Sequence, residues 1–302
     1  MQKKSWPAIA AILLFISFCH GIAEAGRNIT AVQSIRVKPY EDAITGFKSA
    51  CHCRVESFAV SESGEAEIME KISKNKPDMI LAIGPQALLM VKETQNIPVV
   101  YIMVLNPGTM LSQKNNITGV NMNINQETQL ALISKALPVV KNIGLLYDPG
   151  RTGYLVEKAQ KSAKKIGIGL VAREIHKPEK VIPAIKHMKG KIDAFWMMPD
   201  ITVITPETVE FLLLFSLENR IPVIAFSEKY TDSGALMSIG IDAFDTGIQA
   251  GEMAEKFFSG TDIKNIQQAD ARKPVITINL KVAKKLGIHI NDSIVKTARL
   301  TD

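Results

Sequence analysis

The sequence predicts an α/β protein of two similar lobes, each with a parallel sheet, and three observations carry that expectation. Short β-branched runs alternate with amphipathic helical stretches along most of the 302 residues. Several runs, such as 78–83 after its opening Asp78 and 97–104, are apolar, as in parallel strands covered on both faces. One block also repeats. Asp78 opens a strand, a helix follows, and Ile97-Pro98-Val99 opens the next strand; Asp193, a helix and Ile221-Pro222-Val223 echo that order.

Each element follows from local chemistry. Residues 30–37 read as a strand and 40–50 as a helix; 55–60 is a strand and 64–74 a helix with Glu65 and Glu67 at its positive end. Pro85 opens a helix to about Thr94, because a first-turn proline has no amide to lose. The polar stretch containing Asn115, Asn116 and Gly119 reads as a connection. The alternation then restarts with helix 126–137, strand 143–147, helix 153–166 and strand 169–175. It continues with helix 181–188, strand 192–197, helix 206–219 and strand 221–226. Strand 234–241, helix 243–258, strand 275–279 and helix 280–286 are too small for a domain, so they return to complete the two lobes. A chain that crosses repeatedly makes a hinge, with a ligand cleft at the strands' carboxyl ends.

Residues 1–25 read as a cleaved signal peptide. Lys3 and Lys4 precede an apolar run from Ala8 to Cys19, and Ala23-Glu24-Ala25 forms a small-x-small cleavage site before Gly26. An uncleaved anchor is the alternative; a lipid anchor on Cys19 is disfavoured by Phe18 before it. The expected location is therefore the periplasm. A net charge of +6 spread along the chain, without a basic block interleaved with aromatics, argues against nucleic-acid binding. Outside the leader no run approaches the roughly 20 apolar residues of a membrane span.

Cys51 and Cys53 flank His52, too few for a disulfide framework. They read as idle thiols, with a strained local disulfide or a metal site as weaker alternatives. His52, His176, His187 and His289 read as surface residues. There is no Gly-x-Ser-x-Gly elbow, His-Glu-x-x-His, P-loop or dinucleotide fingerprint, so no enzyme, cofactor or metal is expected. Three Asn-x-Ser/Thr sites, at Asn28, Asn116 and Asn291, are weak signals.

The strand-end loops hold the chemistry. Amides after Gly84 at Pro85-Gln86 offer an anion site, and Asp200, Glu228 and Asp242 offer acceptors for an ammonium group. Asp148 and Asp200 read equally well as caps or turn residues. Tyr101 and Tyr147 suit core or cleft, and Trp196 suits the core.

Several runs resemble the substrate-binding proteins of a bacterial ABC-transporter family that includes tryptophan and tyrosine binders. They are Asp78 to Gly84, Ile97 to Pro107, Asn116 to Val120, Asp193 to Asp200, Gly234 to Asp242 with Gly247, and Asn279 to Ile288. The resemblance covers nearly all of the chain after the leader. It implies a type I periplasmic binding protein fold: two Rossmann-like lobes, a three-crossover hinge and a small ligand clamped between them. The lobes are expected at 26–123 plus 234–262 and at 124–233 plus 263–302.

Two departures bear on the ligand: Asn106-Pro107 replaces a common Asp-Pro, and Pro85-Gln86 replaces a small hydroxyl residue after the glycine. Expected ligand contacts are Gly84, Pro85, Gln86 and Asn106 from the first lobe. Tyr154, Asp200, Ser227 and Glu228 come from the second, with Asp242 from the returning segment. An amino-acid-like ligand would set its carboxylate near Gly84 and its ammonium on Asp200, Glu228 or Asp242. The expected partner of this monomer is an ABC permease. The alternatives are a sensing subunit for a histidine kinase or a secreted α/β enzyme. A DNA-binding repressor is excluded because the leader stands where a helix-turn-helix would.

Overall fold

The computed structural model describes residues 27–111 and 116–302, so the expected leader lies outside the described residues. The first pass of the chain gives β1 (Asn28–Gln33), α1 (Lys38–Ala50), β2 (Arg54–Ala59), α2 (Val60–Ser63), α3 (Glu65–Asn75), β3 (Met79–Ile83), α4 (Pro85–Val91), β4 (Val99–Val104) and β5 (Ile117–Asn121). The second gives α5 (Gln126–Ala136), β6 (Asn142–Tyr147), α6 (Pro149–Ile166), β7 (Gly169–Glu174), α7 (Val181–Lys186), β8 (Ala194–Trp196), α8 (Pro206–Asn219), β9 (Val223–Ala225), α9 (Glu228–Asp232) and β10 (Met237–Ile241). The tail adds α10 (Ala243–Phe258), β11 (Ala269–Asp270), β12 (Pro274–Asn279), α11 (Leu280–Leu286), α12 (Asp292–Val295) and β13 (Arg299–Thr301).

These strands form two sheets. The first has the order β11-β5-β4-β3-β1-β2 and is wholly parallel. The second has the order β13-β12-β10-β9-β8-β6-β7, parallel except where β12 runs against β10. The fully apolar strands β3 and β4 are buried along their whole length, as two-sided cover requires. The chain passes between sheets three times: after β5, after β10 and after β11. Each passage leaves from a strand's carboxyl end, which turns those ends of both sheets toward the gap between the lobes.

The lobe boundaries differ from the sequence expectation in the tail. Residues 234–262 do not travel together. β10 pairs in parallel with β9 in the second sheet, whereas α10 packs along α1 in the first lobe. Likewise β11 adds to β5 of the first sheet before β12 returns to the second. Gly234, at φ 119, turns the chain after α9 within the second lobe and marks no crossing.

Two further differences have local causes. Ile117–Asn121, read as a connection, is a buried strand whose Thr118 hydroxyl donates to the Ile266 carbonyl at 2.7 Å. α6 begins four residues earlier than expected because Asp148-Pro149-Gly150 is a helix start. Asp148 caps it by accepting from the Gly150 amide at 3.0 Å, and Pro149 occupies the first turn. Tyr101 and Trp196 are core residues, with no exposed surface.

Candidate functional site

A cavity of about 670 Å³ lies between the lobes. From the first lobe it takes Met103 and Leu105 at the end of β4, with Pro39 and Asp42 at the start of α1. The first passage contributes Met122, Asn123 and Ile124, and α5 adds Gln126 and Gln129. From the second lobe come Met198, Phe226, Ser227, Glu228 and Arg299, with β10 and Asp242 supplying one side.

Local structure aims these groups. The register between β4 and β5 shifts between Tyr101 and Val104, and Met103 there has φ 59. A bulge of this kind re-aims a side chain beside a functional cleft, here a methionine turned to the cavity. The Gln129 carboxamide is paired at both its atoms: it donates to the Ile124 carbonyl at 2.6 Å and accepts from the Trp196 indole at 3.2 Å. That pair fixes the first passage against β8. The Asn123 carbonyl also accepts from the Ala271 amide at 3.1 Å, which ties the first passage to the third.

Charged side chains also line the cavity. Glu228 lies 3.4 Å from Arg299, with the two side chains 48% and 64% exposed. Asp242 caps α10 through the Asp245 amide at 3.0 Å and pairs with Lys273 at 2.7 Å. Burial alone would push the Asp242 carboxyl up, but the Lys273 ammonium and the Asp245 and Phe244 amides together hold it below the usual aspartate range. A carboxyl lowered by folding contributes stability that is complete above the unfolded pKa of about 3.9 and is lost as pH falls through the folded value. Lys273→Met is therefore expected to move the acid-unfolding midpoint to higher pH, read by circular dichroism across an acid titration.

Of the nine residues the sequence nominates, three line this cavity: Ser227, Glu228 and Asp242. The other six lie outside its lining. Gly84 is pressed against Ser34 and Tyr40; a Cβ there would meet the Tyr40 hydroxyl and the Ser34 hydroxyl. Pro85 and Gln86 are exposed. Pro85 has no amide proton, and the Ala87 amide donates to Ser34 Oγ at 3.0 Å, so two of the first three amides of α4 are closed to an anion. Asp200 is buried and holds a turn: its carboxylate accepts from the Asp148 amide at 2.7 Å, the Thr202 amide at 2.9 Å and the Thr152 hydroxyl.

Asn106 and Tyr154 instead form a bridge between the lobes. Asn106, at φ 48, donates through Nδ2 to the Pro199 carbonyl at 3.2 Å and accepts from the Tyr154 hydroxyl at 2.8 Å. Sequence reasoning missed Asn123, Gln126, Gln129, Ser238 and Arg299. The run Asn121-Met122-Asn123-Ile124-Asn125-Gln126 was a usable signal, since it places carboxamides between a strand and a helix where the chain changes lobes.

Elsewhere, Cys51 is buried and Cys53 half-buried, both free thiols. Among the described residues no group of three or more His, Cys, Asp or Glu side chains is placed to hold a metal ion. No described helix is long and apolar enough to cross a membrane.

The family profile described as ABC transporter substrate binding protein matches residues 45–301. The chain belongs to that family. As a family member it has relatives of stated character. It is 28% identical over 231 residues to a "Tyrosine-binding protein" of Clostridioides difficile, covering 74% of this chain and 66% of that one. A Rickettsia prowazekii protein of unstated function is 26% identical over 229 residues, covering 75% and 73%.

Among solved structures, a ligand-free, open substrate-binding protein with adhesive properties from Clostridium difficile superposes with a TM-score of 0.72 at 23% identity. That match covers 91% of this chain and 99% of that one. A Streptococcus pneumonia ABC domain in complex with L-Trp gives 0.62 at 21% identity, covering 92% and 100%. The fold of this substrate-binding protein is the type I periplasmic binding architecture.

Proposed function

We propose that this protein is the extracytoplasmic receptor of an ABC importer, which closes its lobes on an amino-acid-like solute and presents the closed form to a membrane permease. The observation that carries the reading is the cavity, lined from both sheets and from the passages between them. A solute there touches both lobes, so its binding energy favours the closed arrangement. The named tyrosine binder and the L-Trp complex among the relatives support an amino acid as the solute. Cavity charges of both signs, Glu228 and Arg299, suit a zwitterion. The reading assigns the protein no catalytic step.

Closure uses the bridge between Asn106 and Tyr154. Tyr154→Phe removes one neutral hydrogen bond, worth about 0.5–1.5 kcal/mol, so solute affinity should fall by roughly 2- to 10-fold. Titration calorimetry on both proteins reads this; unchanged affinity removes the bridge from the closing mechanism.

The proposal itself is tested by native mass spectrometry of the exported protein as purified, followed by thermal shift with amino acids, nucleosides and small sugars. An amino-acid mass bound to the protein, or a rise of several degrees with one amino acid, is expected. Silence across the whole panel contradicts the receptor reading. N-terminal sequencing of the same sample should begin at Gly26.

A further inference from the structure

We infer that Cys51 and Cys53 are a redox-active dithiol, which reduces a small aliphatic disulfide to its thiols as an intrachain Cys51–Cys53 bond closes. The site lies in the turn between α1 and β2, at the amino end of β2. That is the end of the first sheet opposite the cavity, so the inference stands apart from the receptor reading.

Backbone geometry makes the pair closable. In an extended strand, residues two apart lie roughly 6.4–6.8 Å from each other, at the upper end of the span that a disulfide bridges. This segment is not extended. The Cys53 amide donates to the Cys51 carbonyl at 2.9 Å, a γ-turn centred on His52 that shortens the span. The Cys53 thiol folds back over the same turn, with Sγ 3.4 Å from the Cys51 carbonyl oxygen, and the two thiols hydrogen-bond to each other.

The turn is held from both sides. The Cys51 amide donates to the Phe47 carbonyl at 2.9 Å, and the Arg54 amide to the Arg27 carbonyl at 2.8 Å. Between them the His52 amide donates to the Glu255 carboxylate at 3.1 Å, and Glu255 is itself paired with Arg27 at 2.7 Å. All four successive amides are therefore committed, and the geometry exists before any bond forms.

The two sulfurs are unequal. Cys51 is 1% exposed, whereas Cys53 is half-buried beside a His52 side chain that faces solvent. The Cys51 hydrogen bond holds the Cys53 thiol below its ordinary value against burial and Glu255, and Arg27 and Lys48 act in the same sense. The contact with Cys53, and then burial, push the Cys51 thiol up. Cys53 is thus the attacking thiolate and Cys51 the resolving thiol. Cys53 attacks one sulfur of the disulfide, forming a mixed disulfide and releasing one thiolate. Cys51 then attacks the Cys53 sulfur and expels the second thiolate, and the protons of Cys53 and Cys51 end on the two released thiols. A three-residue loop constrains the unfolded chain little, so the closed bond acts as a reversible couple and not as a staple.

The test treats the reduced, folded exported protein with glutathione disulfide and follows intact mass and thiol alkylation. The mass is expected to fall by about 2 Da with no glutathione retained, both thiols becoming closed to alkylation. Peptide mapping should place the bond between Cys51 and Cys53, and dithiothreitol should restore both thiols. Cys51→Ala should stall as a glutathione adduct on Cys53, heavier by about 305 Da, whereas Cys53→Ala should react at least tenfold more slowly. Circular dichroism checks that each variant is folded, and the result on the unsubstituted protein stands without them. Two thiols that stay reduced, a glutathione adduct that never resolves, or equal reactivity of the two variants overturns the inference.

Discussion

Gly247→Val is expected to lower the folding stability by about 3 kcal/mol or more, measured as a reduced urea midpoint with an unchanged slope. α1 and α10 approach so closely that their glycines face backbone. Gly247 lies against the Ala43 carbonyl, Gly46 against the Phe244 carbonyl and Gly251 against the Phe47 carbonyl. A Cβ at 247 would overlap the Ala43 carbonyl oxygen, and a backbone atom inside a helix cannot swing aside as a side-chain tip can. The helices would have to separate along their shared face. Because α10 starts directly after Asp242, that separation would also disturb one side of the cavity. Gly108→Ala is the control: nothing lies within 4 Å of its Cβ, so the change should stay within about 0.5 kcal/mol.

Asp200→Ala should cost about 3 kcal/mol of stability while leaving solute affinity of the folded protein within about threefold. The carboxylate accepts from two backbone amides and the Thr152 hydroxyl, joining the ends of β6 and β8 to the start of α6. Removing it leaves those buried donors without an acceptor, and each hydrogen bond to a charged group is worth about 1.5–3 kcal/mol, not additively. Urea denaturation and calorimetry on the same variant separate the two roles. A variant of normal stability that has lost binding would return Asp200 to the ligand, as the sequence expectation had it.

The sequence made the architecture legible wherever period and punctuation agreed. Helices 206–219 and 243–258 match their expected limits, each with a capping residue directly before it, Thr205 or Asp242. β5 was illegible because its Asn, Thr and Gly residues carry no apolar period; its place between β4 and β11 is what makes it a strand. The lobe membership of β10 depends on which edge is open when the strand arrives, which no local pattern encodes.

The same division holds for the candidate site. Ser227, Glu228 and Asp242 could be named because strand ends in α/β folds face the cleft. Asn123, Gln126 and Ser238 could not. Their place in the cavity lining is a property of the assembled lobes and not of any window of residues. Gly84 and Asp200 lie outside the cavity lining for the complementary reason: each has a suitable residue type at a strand end, but neighbouring side chains or amides already occupy it.

The most direct test of the central claim is a crystal structure of the exported protein grown with the solute that stabilises it most. Density for that solute is expected between the lobes, in contact with Met103 or Asn123 on one side and with Ser227 or Glu228 on the other. A solute bound outside that cavity, at the start of α4 or on the outer face of either lobe, would contradict it.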